Sequence, residues 1–209
     1  MDVLELISTH LQKGEDQKVL DLTREAVELQ IPAKEILDDG LIAGMNVVGE
    51  KFRKHEIFLP HVLLAARAMY AGMDQLKPLL IKSKVPTLGK VVIGTIQGDL
   101  HDIGKNLVAI MLKGAGYDVI DLGSDVPPET FVETAQKEGA SIIGMSALLT
   151  TTMTVMGKVT ALLKENGLTD IKTIIGGAPL SQDYADEIGA NAYAYDAAKA
   201  VECVKNLLE

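Results

Sequence analysis

The chain has no tryptophan, three phenylalanines, five tyrosines and one cysteine, Cys203, in 209 residues. A single thiol can build neither an internal disulfide framework nor a thiolate metal cluster, which points to a reducing cytoplasm. Positive charge is also scarce. Lys and Arg total 20 against 29 Asp and Glu, a net charge of −9, so there is no electrostatic footprint for nucleic acid or anionic lipid. Long apolar runs are missing too. The opening Met-Asp-Val-Leu-Glu-Leu lacks a basic segment, and the stretch from Val62 to Met73 is broken by Arg67, so neither a signal peptide nor a membrane span is expected. What is present, 47% hydrophobic and 23% charged residues, describes a globular protein with room for one large domain or two small ones.

Two styles of sequence meet at Lys82-Ser-Lys-Val-Pro-Thr-Leu-Gly89, which has little apolar periodicity and carries Pro86 and Gly89. The division predicts a helical domain over 1–82, a linker over 83–89 and a second domain over 90–209. In the first part Val62, Ala65, Ala66, Met69, Met73 and Leu76 follow helical spacing, as do Val19, Leu22, Ala26 and Val27. Four helices are expected near 2–13, 15–30, 32–50 and 60–80, with Pro32 in the first turn of the third and short connections that imply an antiparallel bundle.

After the linker, β-branched runs alternate with amphipathic segments. The strands are expected at 91–96, 118–122, 141–145, 171–175 and 192–195, and the helices near 104–115, 128–138, 153–166, 181–188 and 197–208. Five βα units predict an α/β, doubly wound parallel sheet of the Rossmann-like, flavodoxin-like kind. Ligands in such sheets bind beyond the carboxyl ends of the strands, so the residues just after each strand carry the functional interest.

The first strand runs into Gln97-Gly-Asp-Leu-His-Asp-Ile-Gly-Lys-Asn106. As a phosphate loop this fails in spacing, and Asn106 stands where a magnesium-binding hydroxyl belongs; the glycines of a dinucleotide fingerprint are absent. Zinc needs three or four ligands, whereas His10, His55, His61 and His101 sit at unrelated spacings and Cys203 is remote. Two readings remain. Asp99 can cap the next helix beside an ordinary loop histidine, or His101 can give one axial ligand to a metal already caged by a cofactor, with Asp99 accepting from its other ring nitrogen.

The segment resembles the cobalamin-binding family, whose signature Asp-x-His-x-x-Gly appears here as Asp99, His101 and Gly104. The resemblance implies that the cofactor's own dimethylbenzimidazole leaves the cobalt and that His101 becomes the metal ligand, with Asp99 behind it and Asp102 and Ile103 alongside. Ser146, Leu148, Thr150 and Thr152 then belong to the run lining the slot for the displaced nucleotide tail, and Thr152 stands where cobalamin-dependent methionine synthases carry a serine bonded to the aspartate. Gly176 and Gly177 match the family's tail-binding glycines. Asp196, after the fifth strand, is expected to cap the last helix.

The helical part contains Gly49-Glu-Lys-Phe-Arg-Lys-His-Glu-Ile-Phe-Leu-Pro60. It is similar to the cap of methyl-carrying corrinoid proteins, in which an aromatic residue and a leucine seven positions later cover the upper cobalt face; here these are Phe52 and Leu59. Apolar cover would shield a reactive methyl from solvent, though both side chains could equally be ordinary bundle core. Mutase-type subunits lack such a cap, and methionine synthase surrounds it with domains for which 209 residues leave no room.

The resemblance therefore implies a corrinoid protein of a multi-component methyltransferase system, which shuttles a methyl group on cobalt and holds no catalytic residues of its own. The partners it implies are a substrate-specific methyltransferase, a second methyltransferase that passes the methyl to coenzyme M or tetrahydrofolate, and a reductive activase. The linker would then be the hinge on which the cap swings aside. A corrinoid-dependent regulatory or sensory module is the alternative, although no output domain is evident.

Overall fold

The computed structural model describes residues 2–82 and 87–209. The predicted linker falls largely on 83–86, outside the described residues. The chain divides into two compact units, one holding the N-terminal helices and one that begins at Thr87 and carries the sheet.

In the helical unit, α1 (Val3–Gln12) and α2 (Asp16–Glu28) are joined through Gly14, whose φ of +72° and close approach to Leu64 exclude a side chain. The predicted third helix is a continuous helical run made of α3 (Ala33–Glu35), a π-helical segment (Ile36–Ile42) and α4 (Ala43–Arg53). Pro32 lies outside its first turn. It is extended at the N-cap, with ψ of 132°, and its rigid φ sets the chain's entry into the helix. The final helix of the unit, α5 (Leu59–Lys82), accommodates Pro78. The apolar spacing seen in the sequence becomes one core, in which Ile7, Leu11, Val19, Ala26, Ile36, Leu41, Val62, Ala65 and Leu76 are fully buried.

The second unit is a five-stranded, all-parallel sheet. Its strands are β1 (Lys90–Thr95), β2 (Asp118–Asp121), β3 (Ile142–Ser146), β4 (Lys172–Gly176) and β5 (Ala192–Ala194), in the order β2-β1-β3-β4-β5. The helices between and after them are α6 (Ile103–Gly114), α7 (Pro128–Glu138), α8 (Met156–Glu165), α9 (Gln182–Ile188) and α10 (Ala197–Leu208). A short 3-10 turn over Met153–Val155 precedes α8, so the expected helix from 153 starts three residues late. The β-branched runs are buried because helices cover the sheet. Gly94 in β1 leaves room for the ring of Phe131 from α7, which would lie 2.8 Å from an added Cβ. Asp196 caps α10, accepting from the Lys199 amide at 2.7 Å. The strand order reverses direction between β1 and β3, and a ligand crevice opens at such a switch point.

Candidate cofactor site

Asp99 lies in the loop after β1 and is fully buried. Its Oδ1 accepts from the His101 amide at 3.0 Å and pairs with His101 Nδ1 at 2.7 Å. Its Oδ2 accepts from the Leu148 amide at 2.7 Å, the Leu149 amide at 3.2 Å and the Thr152 hydroxyl at 3.0 Å, all in the loop after β3. Burial alone would raise the Asp99 pKa. The opposing hydrogen bonds from the His101 and Leu148 amides, the His101 ring and Thr152 win, and hold the carboxyl well below the ordinary carboxylate range. Asp99 therefore does not cap α6, the first of the two readings open in the sequence; its acceptor capacity is spent inside the crevice.

An ionised carboxylate only accepts, so in the neutral imidazole Nδ1 carries the proton and Nε2 is the nitrogen with a lone pair to offer. The His101 side chain is 53% exposed although its aspartate is 0% exposed. The loop is thus built to anchor one face of the ring and present the other. Thr95 adds a further tie, its hydroxyl donating to the His101 carbonyl at 3.1 Å.

Exposed aliphatic side chains stand in the loops that carry this imidazole and its aspartate's partners. Leu100 and Ile103 are 73% and 76% exposed, and Leu148 and Leu149 are exposed beside the amides that bind Asp99. Gly104 has nothing within 4 Å of an added Cβ, so no protein atom accounts for its missing side chain. One presented imidazole, a buried carboxylate behind it, exposed aliphatic side chains and an open glycine fit a flat, largely apolar macrocycle whose metal needs one more ligand. Among the described residues no group of three or more His, Cys, Asp or Glu side chains could hold a bare ion.

The structure gathers most of the sequence-predicted site residues at the carboxyl ends of β1, β3 and β4. Ser146 ends β3 and its carbonyl accepts from the Ile96 amide, while Thr150 is exposed in the following turn. Asp102 lies just ahead of α6, its carbonyl accepting from the Asn106 amide. Gly176 binds the Ala147 amide through its carbonyl. Gly177 serves the protein's own packing. Its φ is +139° and an added Cβ would lie 1.8 Å from the Ala147 carbonyl oxygen, so backbone, and not only a ligand, requires glycine there.

Phe52 and Leu59 belong to the helical unit, at the two ends of the connection between α4 and α5. The His55 amide donates to the Phe52 carbonyl at 3.0 Å within it, and His55 takes a φ of +58°. Both Phe52 and Leu59 are half-buried and stand outside the buried core, and Phe58 between them is 66% exposed.

Sequence reasoning missed three residues beside the site. Lys105 is buried and paired with Asp121, and Asp125, at a φ of +56°, accepts from the Gly98 amide at 2.7 Å. A lysine inside a glycine-bearing signature reads as a phosphate ligand or a solvated charge, and nothing in the sequence signals that Asp125 adopts a left-handed conformation.

Residues 89–203 match the family model described as a B12 binding domain, and residues 3–77 match a second model of the same description. The chain is 47% identical over 197 residues to trimethylamine corrinoid protein 1 of Methanosarcina acetivorans, an alignment covering 93% of this chain and 91% of that protein. Among solved structures it resembles a chain of the methanol:cobalamin methyltransferase complex MtaBC from Methanosarcina barkeri, with a TM-score of 0.89 and 34% identity over 99% of this chain and 79% of that one. It also resembles a cobalamin-binding protein from Desulfitobacterium hafniense, with a TM-score of 0.81 and 31% identity over 99% and 98% of the two chains.

Proposed function

Because the chain belongs to the corrinoid proteins of methylamine and methanol methyltransferase systems, we propose that it carries a methyl group on a cobalamin held base-off, with His101 as the lower axial ligand. The bound corrinoid would supply a cobalt centre that takes a methyl group from one enzyme and yields it to another. The observation that carries the assignment is the geometry of one pair: a fully buried carboxylate engages Nδ1 of a half-exposed histidine at the sheet's switch point.

The protein's part is to present and restrain. Asp99 fixes the tautomer and orientation of His101. Leu100, Ile103 and Leu148 offer apolar surface to the macrocycle, Gly104 leaves space for it, and Asp102 follows the ligand at the start of α6. Ser146 and Gly176 at the ends of β3 and β4, with Thr150, Thr152 and Gly177 in the loops after them, would hold the displaced tail; hydroxyls donate and accept there without adding charge. Phe52 and Leu59, apolar and half-buried in the helical unit, are the residues that would shield the reactive group from water.

The partners follow from the same reading. A substrate-specific methyltransferase of the kind found with the similar proteins loads the methyl group, a second methyltransferase removes it to coenzyme M or tetrahydrofolate, and a reductive activase restores the carrier. The cytoplasm suits such traffic, and no helix among the described residues is long and apolar enough to cross a membrane. The test is an absorption spectrum after incubation with hydroxocobalamin and removal of free cofactor, for the wild-type chain and for His101→Ala. The expected result is a retained corrin spectrum whose bands shift with the substitution. Identical spectra would overturn the axial assignment, and no retained cofactor on a folded wild-type chain would overturn the carrier reading.

A further inference from the structure

Lys105 is 2% exposed, yet it lies on the first turn of α6, four residues past the histidine. Its ammonium binds both oxygens of Asp121, at 2.5 and 2.6 Å, and the Asn106 side-chain oxygen at 2.7 Å. A buried ammonium persists only where acceptors surround it, so its partners show what it is there to hold. Asp121 is the last residue of β2, and its Oδ1 also accepts from the Gly123 amide at 2.9 Å. The pair thus shapes the turn that follows β2.

That turn grips the loop bearing the histidine at several points. The Gly123 carbonyl accepts from the Thr95 amide at 2.9 Å, and the Val126 amide donates to the Thr95 carbonyl at 3.0 Å. The Asp125 amide donates to the Asp99 carbonyl at 3.0 Å while its carboxylate accepts from the Gly98 amide at 2.7 Å. Gly98 and Asp99 are the two residues through which the chain turns toward His101, and Thr95 binds the His101 carbonyl. The loop is therefore held from both sides, by the β3 loop on the Asp99 carboxylate and by the β2 turn on the backbone.

We propose that Lys105 is a positioning residue for His101, acting through Asp121 and the turn over residues 122–126 to fix the loop that presents the imidazole. The proposal rests on His101 being the axial ligand. Lys105 itself touches no reacting atom; its ion pair sets where the Gly98–Asp99 backbone stands and so how far the ring can stray from coordinating geometry. Losing groups that orient a metal ligand lowers its hold on the metal by about tenfold to about a hundredfold.

The experiment compares the wild-type chain with Lys105→Met/Asp121→Leu, which leaves neither charge buried alone, and with Asp121→Asn, which keeps the side chain's shape. In the cofactor-free proteins, hydrogen exchange is read at the Thr95, Gly98 and Gly123 amides, with helical-unit amides as the internal reference. The expected result is exchange at least about tenfold faster at the three loop amides alone, a local opening rather than global unfolding. The same proteins, labelled with nitrogen-15, are then loaded with hydroxocobalamin and reduced to the cobalt(II) form. A protein nitrogen on cobalt gives a two-line electron paramagnetic splitting in place of the three lines of the cofactor's own base. The ratio of protein-ligated to unligated cofactor is expected to fall about tenfold or more in the double variant and less in Asp121→Asn. Folded variants with wild-type exchange and a wild-type ratio would overturn the positioning role. A wild-type spectrum without a protein nitrogen would overturn the axial assignment instead, and the exchange measurement would still decide whether the ion pair governs the loop.

Discussion

The Thr152 hydroxyl donates to Oδ2 of Asp99 at 3.0 Å, joining the loops after β1 and β3 across the switch point of the sheet. The Leu149 carbonyl also lies 3.0 Å from that hydroxyl, but one hydrogen serves one acceptor, and an ionised carboxylate is the stronger of the two. Threonine, not serine, supplies this hydroxyl. Its extra methyl is accommodated beside Gly98, where an added Cβ would lie 3.2 Å from Thr152 Cγ2.

Thr152→Ser keeps this hydroxyl and Thr152→Val removes it while preserving shape. The valine variant is expected to lose about 1.5 kcal/mol, the lower end for a hydrogen bond to a charged group, because four other donors remain on Asp99. The serine variant should lose much less. Urea unfolding midpoints check both, and equal midpoints for valine and wild type would mean that the hydroxyl contributes nothing to the hold on Asp99.

Asp99 makes acid stability a test of the same network. Its folded pKa lies below the unfolded value, so its ionisation stabilises the fold fully above the ordinary carboxylate range and loses that effect as the pH falls toward the folded value. The melting-temperature gap between wild type and Asp99→Asn is therefore expected to be level above about pH 5 and to narrow below about pH 4, the unperturbed aspartate range. A gap that widens on acidification would contradict the depressed pKa.

The parts of the molecule legible in sequence were those governed by local periodicity. Strand runs such as 91–96 and helices such as 128–138 were placed to within a residue or so, because burial on a covered sheet and one apolar helical face each leave a repeating pattern. The π segment over Ile36–Ile42 and the 3-10 turn ahead of α8 left no such trace, since they arise from packing and not from composition. At the site, Asp99 and His101 stood out because both lie within one short motif. Lys105, Asp121 and Asp125 did not, because their meaning comes from contacts between segments 16 to 27 residues apart, and a charged residue alone in a sequence reads as solvated.

Two glycines of the site separate what the protein needs from what the cofactor needs. At Gly177 an alanine would place its Cβ 1.8 Å from the Ala147 carbonyl oxygen at a φ of +139°, so the loops after β3 and β4 must move apart. Gly177→Ala is expected to destabilise the cofactor-free chain by at least about 2 kcal/mol, as substitutions with incompatible backbone geometry do. Gly104 lies in the first turn of α6 with open space where a side chain would be. Gly104→Ala should therefore leave the cofactor-free chain as stable as wild type or more so, by up to about 1 kcal/mol from helix propensity. If Gly104 makes room for the macrocycle, that same variant will bind hydroxocobalamin more weakly, and the loss will grow with Gly104→Val. Thermal melts of the cofactor-free proteins and retention of the visible corrin spectrum after gel filtration give the two readings. Full retention by Gly104→Val would place the macrocycle elsewhere and return the glycine to an unexplained feature of the helix start.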